Sequence, residues 1–378
     1  AGYAARPVEE DYSRARDLCE TLDAVPGVAT QLLKTLFGVW TYYCASADFD
    51  TAGAVATAIE RQLERATIRS GAHGLDACRG VEAYYRGDLH RAHALLSRAV
   101  EGMARDDIDA ADWWQPHDPM SAACAFLGPL RLSLGDEAGA LEALRLGVTR
   151  SQALEFPRGP YSVAFVRTYE ALVHRRRGEA AGAAEAAEEV IRIGQRHGFF
   201  DWMMVGRMHV AAAEAMTSPT AAALDEMGEA IDTWCKVGGE ALIPTLLVEQ
   251  ADGYLVRDDL DKATECLERA FGAIARGQRV ALAEALRLRA ELRLRSDPSA
   301  RAEADADLRE AIGVAREQGD VYSLLRVALT HRRRFDREGG ELVEAALAEA
   351  MAAYGEEAAL PDLAAARDLL AAEGADVS

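Results

Sequence analysis

Nine alanines, Ala15, Ala52, Ala92, Ala140, Ala183, Ala223, Ala263, Ala304 and Ala345, recur at intervals of 37, 40, 48, 43, 40, 40, 41 and 41 residues. In an alanine-rich chain such a ladder needs support from its flanks, and the flanks repeat as well. Five residues before most rungs stands a small or turn-forming residue: Gly87, Gly135, Gly178, Ser218, Asp258, Ser299 or Gly340. There a chain leaving one helix can turn and begin the next. Four residues after the rung stand Leu96, Leu144, Met227, Leu267 and Leu308, and seven after stand Ala99, Gly147, Ala230, Ala270, Ala311 and Ala352. Offsets of four and seven mark one face of a helix. Twelve before the rung, Gly80, Gly128, Ala171, Ala211 and Ala251 put a second small residue on the preceding helix. Small side chains at matched heights let two helices approach closely, because interaxial distance follows the side chains at the contact. This register places Ala183 and Ala263 at the contact and Ala181 and Ala273 on the exposed side.

One helix pair of this size cannot bury its apolar face until a neighbour stacks on it, so the repeat predicts an all-α, right-handed α-solenoid spanning residues 1–378 as a single superhelical domain. A period near 40 exceeds the roughly 34 residues of tetratricopeptide repeats and overlaps the roughly 40–47 of HEAT and armadillo units. The small, large, small pattern on the second helix favours a long tetratricopeptide-like repeat. Such an architecture points to recognition before chemistry.

Half the residues are hydrophobic and 28% are charged, as in soluble globular proteins. The net charge of −20 opposes a nucleic-acid partner through the overall field. The cysteines Cys19, Cys44, Cys78, Cys124, Cys235 and Cys266 show no Cys-x-x-Cys spacing and read as buried reduced thiols in a cytoplasmic protein. No signal peptide or membrane span is visible, so no membrane partner is expected. The chain lacks an initiator methionine and opens inside a repeat, which suggests a fragment of a longer protein with its other domains upstream.

Gly2-Tyr3-Ala4-Ala5, Glu9, Tyr12 and Arg14-Ala15-Arg16-Asp17-Leu18-Cys19 resemble the segment that opens the helical C-terminal region of bacterial multidomain ATPases linked to class III adenylate or guanylate cyclase domains. Residues 283–292, Ala315-Arg316-Glu317-Gln318-Gly319 and residues 360–370 are similar to that family's closing repeats. Gln115-Pro116-His117-Asp118-Pro119 sits where the family carries a Gly-Gln-Asp-Pro loop, with a proline replacing part of the pattern and an inserted histidine. The resemblance implies a sensor or docking arm for upstream ATPase and cyclase domains. Related ATPases of the MalT and LuxR type use such an arm to bind an inducer or partner, but too little chain follows Leu370 for their DNA-binding domain.

No phosphate-binding glycine loop, dinucleotide fingerprint, His-Glu-x-x-His or nucleophile elbow is present, so neither catalytic residues nor a cofactor is expected in this chain. His90 and His93 share a helix face without a further ligand at metal spacing, and the acidic run Asp106, Asp107, Asp109, Asp112 lacks the glycine and glutamate of a calcium loop. No metal site follows. The clusters His174-Arg175-Arg176-Arg177 and His331-Arg332-Arg333-Arg334 close first helices, where cations complement the helix dipole.

The interval from Ala92 to Ala140 alone exceeds the period by about eight residues, and long loops in compact repeats are commonly functional. It concentrates Trp113, Trp114, His117 and Asp118, a mixture that serves either to cover a neighbouring helix pair or to bind. With first helices lining the concave face, Phe37, Thr41, Tyr84, Phe165, Thr168, Met208, Thr245 and Asp252 face inward. Trp202, in the aromatic and methionine-rich run Phe199–Met204, joins them. The expected function is a non-catalytic regulatory arm that binds a protein, peptide or small-molecule effector in its groove. A passive scaffold or oligomerisation module is the alternative, and an arm of a MalT/LuxR-type regulator a more distant one.

Overall fold

The computed structural model describes residues 28–65, 69–107, 115, 117–355 and 357–376, with residues 10, 11 and 13–15 near the N-terminus. Among these there is no strand. Helices follow one another in antiparallel pairs: α1 (Val28–Ala45) with α2 (Phe49–Arg65), α3 (Arg69–Arg86) with α4 (Leu89–Arg105), α5 (Pro119–Ser133) with α6 (Glu137–Gln152), and α7 (Arg158–Arg176) with α8 (Ala180–His197). The series continues with α9 (Phe200–Thr217) and α10 (Ala221–Lys236), α11 (Ile243–Val256) and α12 (Leu260–Ala275), α13 (Leu282–Ser296) and α14 (Arg301–Gln318), α15 (Val321–Phe335) and α16 (Gly340–Ala353), and ends with α17 (Pro361–Asp376). This is the expected solenoid, and odd-numbered helices are the first members of their pairs.

The turn within a pair has a local cause. The position five before the rung takes a left-handed backbone at Ala47, Gly87, Gly135, Gly178 and Asp258, with φ of 57°, 83°, 92°, 74° and 61°. Glycine reaches that conformation without a Cβ penalty. The next residue then caps the second helix: Asp88, Asp136 and Asp259 each accept the backbone N–H three residues on. Such a cap is worth about 1 kcal/mol.

The rungs Ala52, Ala92, Ala140, Ala183, Ala263 and Ala304 are completely buried, and Ala223 nearly so. Across the pair, the small residue of the first helix meets the large residue of the second. A Cβ on Gly80 would stand 2.7 Å from Leu96 Cγ, and one on Gly128 2.8 Å from Leu144 Cγ. Helix approach is therefore set by glycine against leucine and not by two small residues alone. Two expectations need correction. Ala345 is exposed and Ala346 takes the buried place, because a 3-10 turn at Asp336–Gly339 shifts the start of α16 by one residue. Ala273 is buried on the inner face of α12.

The superhelix also closes on itself. Ala45 O at the end of α1 accepts the backbone N–H groups of Glu240 and Ala241, at 2.9 and 3.1 Å. The Tyr354 hydroxyl donates to Leu132 O at 2.7 Å, the Ala359 N–H donates to Glu137 Oε2 at 3.0 Å, and the Arg176 guanidinium lies 5.2 Å from the centre of the Tyr322 ring. Each pairs an early repeat with one about five repeats later, and one hydrophobic core runs through both ends of the chain.

Ala183→Leu is expected to lower stability by about 1–3 kcal/mol through overpacking, whereas Ala181→Leu, on the exposed side of the same helix, changes it by less than about 0.5. Equal urea midpoints for the two variants would show that the ladder does not lie at the contact.

Candidate functional site: an apolar chamber on the concave face

Closure of the superhelix leaves a chamber of about 160 Å³ inside the first turn. Its wall comes from consecutive first helices at helical spacing: Phe37, Trp40, Thr41 and Cys44 of α1; Ala77, Cys78, Val81 and Tyr85 of α3; Ala122 and Phe126 of α5; Tyr161, Phe165, Thr168 and Tyr169 of α7. Asp201, Trp202, Val205, Met208 and His209 of α9, Leu246 of α11, Gln115 and His117 complete it, with Trp234 and Leu242 at one side. Each helix presents positions three and four apart, the stripe that faces the superhelix axis.

The wall is apolar and aromatic, with Phe165 packed edge-on to Trp202 at 5.6 Å and stacked on Tyr169 at 5.5 Å. Most of its polar groups are paired within it. Gln115 Nε2 donates to Thr41 Oγ1 at 2.6 Å and to Phe37 O at 3.3 Å, so the long interval is tied to α1. Thr168 donates to Ala164 O, and the hydroxyls of Tyr85 and Tyr169 meet at 3.2 Å. Behind the wall, Glu82 accepts from Trp40 Nε1 at 2.6 Å, and burial lifts its carboxyl above the ordinary range. The His117 ring lies 5.2 Å from Phe165; burial, opposed by Asp118 and helped by Arg158, brings its imidazole down to about 4. Burial and Arg175 hold His209 well below its usual value. Cys44 and Cys78 are free buried thiols whose pKa values burial pushes up.

Further along the concave face the lining becomes charged. A hollow of about 360 Å³ takes in Arg175, Thr245, Glu249, Asp252, Glu284, Tyr322, Arg326 and Asp362. Arg326 reaches Glu284 at 3.0 Å and Asp252 at 3.3 Å, and Arg175 reaches Glu249 at 2.9 Å. Burial acts to raise the Asp252 carboxyl, but Arg287 and Arg326 outweigh it and hold it below the usual range. A third hollow of about 300 Å³ shares Asp252 and Val256 and adds Arg295, Arg333 and Arg334.

Of the residues expected in a groove, the structure brings Phe37, Thr41, His117, Phe165, Thr168, Trp202 and Met208 into the chamber wall. Trp113 and Trp114 lie outside the described residues. Tyr84 is buried but outside the chamber, its ring edge-on to Tyr85 and Phe126, because the inner stripe of α3 runs through Tyr85, one residue later in phase. Asp118 is also removed from it: fully buried, it caps α5 at Ser121 and pairs with Arg150 at 2.7 Å. Thr245 and Asp252 face the charged hollow instead. Trp40, Tyr85, Phe126 and His209 were missed, although Trp40 continues the helical stripe already marked by Phe37. The two basic clusters are more than dipole complements: Arg177 pairs with Glu137 at 2.6 Å, His331 with Asp305 at 2.6 Å, and Arg334 with Glu291.

Among the described residues no group of His, Cys, Asp and Glu could hold a metal ion, and no helix is long and apolar enough to cross a membrane. No family model and no curated protein matches the chain. Among solved structures, a Rap protein complexed with Competence and Sporulation Factor aligns with a TM-score of 0.61 at 12% identity, over 89% of this chain and 90% of that one. The apo form of RapI aligns at 0.43 and 13% identity, over 84% and 86% of the two chains. Yeast Tom70 aligns at 0.46 and 11%, over 96% and 86%. At 12% identity the likeness to the first of these is one of fold.

The depressed His117 predicts a pH dependence. Above about pH 6.5 the ring is neutral in both folded and unfolded chains. As pH falls from there towards about 4, the unfolded chain takes up a proton that the folded ring refuses, so stability falls. Between about pH 7 and pH 5 this one group removes about 2 kcal/mol, and His209 acts in the same direction. His117→Phe should flatten the unfolding-stability profile by about that amount; a profile parallel to wild type would contradict the assignment.

Proposed function

We propose that this chain is a non-catalytic recognition arm that takes a small ligand or a short peptide segment into its concave face. The observation that carries this reading is the chamber: six successive first helices, α1 to α11, converge on one apolar space that the closed superhelix does not fill. Closely packed interiors leave few voids larger than a water molecule, and a partly aromatic pocket with a few polar groups is the usual form of a ligand site. Because the superhelix is closed, its axis has room for a small molecule or an extended segment and not for a folded domain. A Rap protein of the same fold has been crystallised with Competence and Sporulation Factor, which supports the reading that such a solenoid holds a partner. A scaffold that offered only its outer surface would leave the inward stripe of Phe37, Phe165, Trp202 and Met208 without a role.

The attachment of this arm to a cytoplasmic cyclase-linked ATPase is also proposed, and it rests on the sequence resemblance alone. In that setting a ligand preferring one curvature of the solenoid biases the catalytic domains between states by its differential affinity.

The test is a thermal-shift screen of apolar metabolites and short peptides against wild type, Ala122→Leu, which fills the chamber, and Ala181→Leu, which alters only the exposed face. A ligand at about a hundred times its Kd adds about 2.7 kcal/mol of stability. Stabilisation is expected in wild type and Ala181→Leu and lost in Ala122→Leu. Ligands that stabilise all three alike would place binding elsewhere and contradict the reading.

A further inference from the structure

Among the described residues, two that line the chamber carry a buried hydrogen-bond donor without a partner: Trp202 Nε1 and His209 Nε2. Trp202 is 8% exposed and His209 2%. The identity of the histidine donor follows from its other nitrogen. Arg175 Nη1 lies 2.8 Å from His209 Nδ1, and a guanidinium can only donate, so Nδ1 accepts and the neutral ring carries its proton on Nε2. Arg175 is itself matched by Glu249 at 2.9 Å, so this arrangement leaves no surplus positive charge beside the ring. Trp202 Nε1–H, for its part, is a donor only.

Leaving such donors buried and unpaired is costly, and native structures pair them with protein, water or ligand. Trp202 and His209 stand seven residues apart on α9, two turns along one face and about 10 Å by helical rise. Between them on that face Val205 adds only apolar surface. The space is large enough for one ring, since a dry apolar cavity of about 150 Å³ accommodates benzene. Charge narrows the acceptor further. Asp201 lines the same chamber, where it accepts a hydrogen bond from the Tyr161 hydroxyl, and it would oppose a second carboxylate.

From this geometry we propose that the chamber holds a ring-sized apolar molecule bearing neutral carbonyl groups, which accept hydrogen bonds from Trp202 Nε1 and His209 Nε2. This specifies the ligand class for the binding reading above and rests on it. Small molecules and the amide carbonyls around an aromatic residue of a peptide share this chemistry.

The test uses near-isosteric probes: 1,4-diethylbenzene, 4-ethylacetophenone, 1,4-diacetylbenzene and 4-acetylbenzoate, with N-acetyl-phenylalaninamide as the peptide form. Calorimetric affinities are measured for wild type, Trp202→Phe and His209→Leu, with circular dichroism and thermal melts confirming that each variant is folded. Each carbonyl should tighten binding by about three- to tenfold, the worth of one net hydrogen bond. Trp202→Phe should remove one such step, read within each variant as the ratio of 1,4-diacetylbenzene to 1,4-diethylbenzene affinity, and 4-acetylbenzoate should bind more weakly than 1,4-diacetylbenzene. If Trp202→Phe does not fold, loss of the step in His209→Leu carries the same weight. The tighter of 1,4-diacetylbenzene and N-acetyl-phenylalaninamide identifies the source of the carbonyls. Equal affinity of wild type for the hydrocarbon and the diketone would overturn the proposal, showing that the donors serve water, while the chamber would stand as a binding site. Failure of every probe, alongside a screen ligand blocked by Ala122→Leu, would overturn it in the same way; failure of the probes and the screen together would remove both readings.

Discussion

Everything in this structure depends on how closely the two helices of each repeat approach. At Gly80 and Gly128 there is no side chain to hold the helices apart, and Leu96 and Leu144 fill the space a Cβ would need. The ladder alanines Ala52, Ala92, Ala140, Ala183, Ala263 and Ala304 on the second helices are completely buried for the same reason. Helix spacing follows contact side chains, and a small fixed rotation per repeat becomes the curvature of a solenoid. With about five repeats per turn, that curvature brings the end of α1 to the segment before α11.

Closure converts a curved surface into an interior. The early and late repeats share one core, and the first helices, which would line an open groove, surround an apolar chamber and a charged hollow beside it. The Arg175–His209 pair links the two walls: His209 lines the chamber, and Arg175, which fixes its tautomer, lines the hollow and pairs with Glu249 there. Arg287 and Arg326 each lie within hydrogen-bonding distance of both Asp252 and Glu284; an unmatched charge there would be far more costly. The acidic excess of the chain thus coexists with an inner surface whose charges are largely balanced.

The repeat was legible in the sequence because its determinants are local. A left-handed turn five residues before many of the rungs, an aspartate cap after several of those turns and a 3.6-residue apolar period all act within one helix pair, and they place Phe37, Thr41, Phe165, Thr168 and Met208 on the inward stripe. Phase within a stripe was less secure: Tyr84 and Tyr85 are equally aromatic, and only packing against Phe126 and Tyr169 decides that Tyr85 reaches the chamber. The shift from Ala345 to Ala346 has the same character, since one extra residue in a 3-10 turn leaves no compositional mark. Closure was not legible at all. The Tyr354 to Leu132 and Glu240 to Ala45 contacts join segments about two hundred residues apart, and such pairs follow from accumulated curvature that no window of sequence contains. The role of His209 was hidden for that reason too, because its partner Arg175 belongs to the preceding repeat.

The most direct measurement of closure is amide hydrogen exchange at Glu240 and Ala241. These two N–H groups lie in a turn outside any helix, and their acceptor is Ala45 O, five repeats earlier in the chain. If the superhelix is closed in solution and the chamber is a true interior, both amides should exchange at rates comparable to those within α11, and a ligand bound in the chamber should slow them further. Exchange at the rate of an exposed turn, with α11 itself protected, would mean that the solenoid is open and that the chamber does not exist as a binding site.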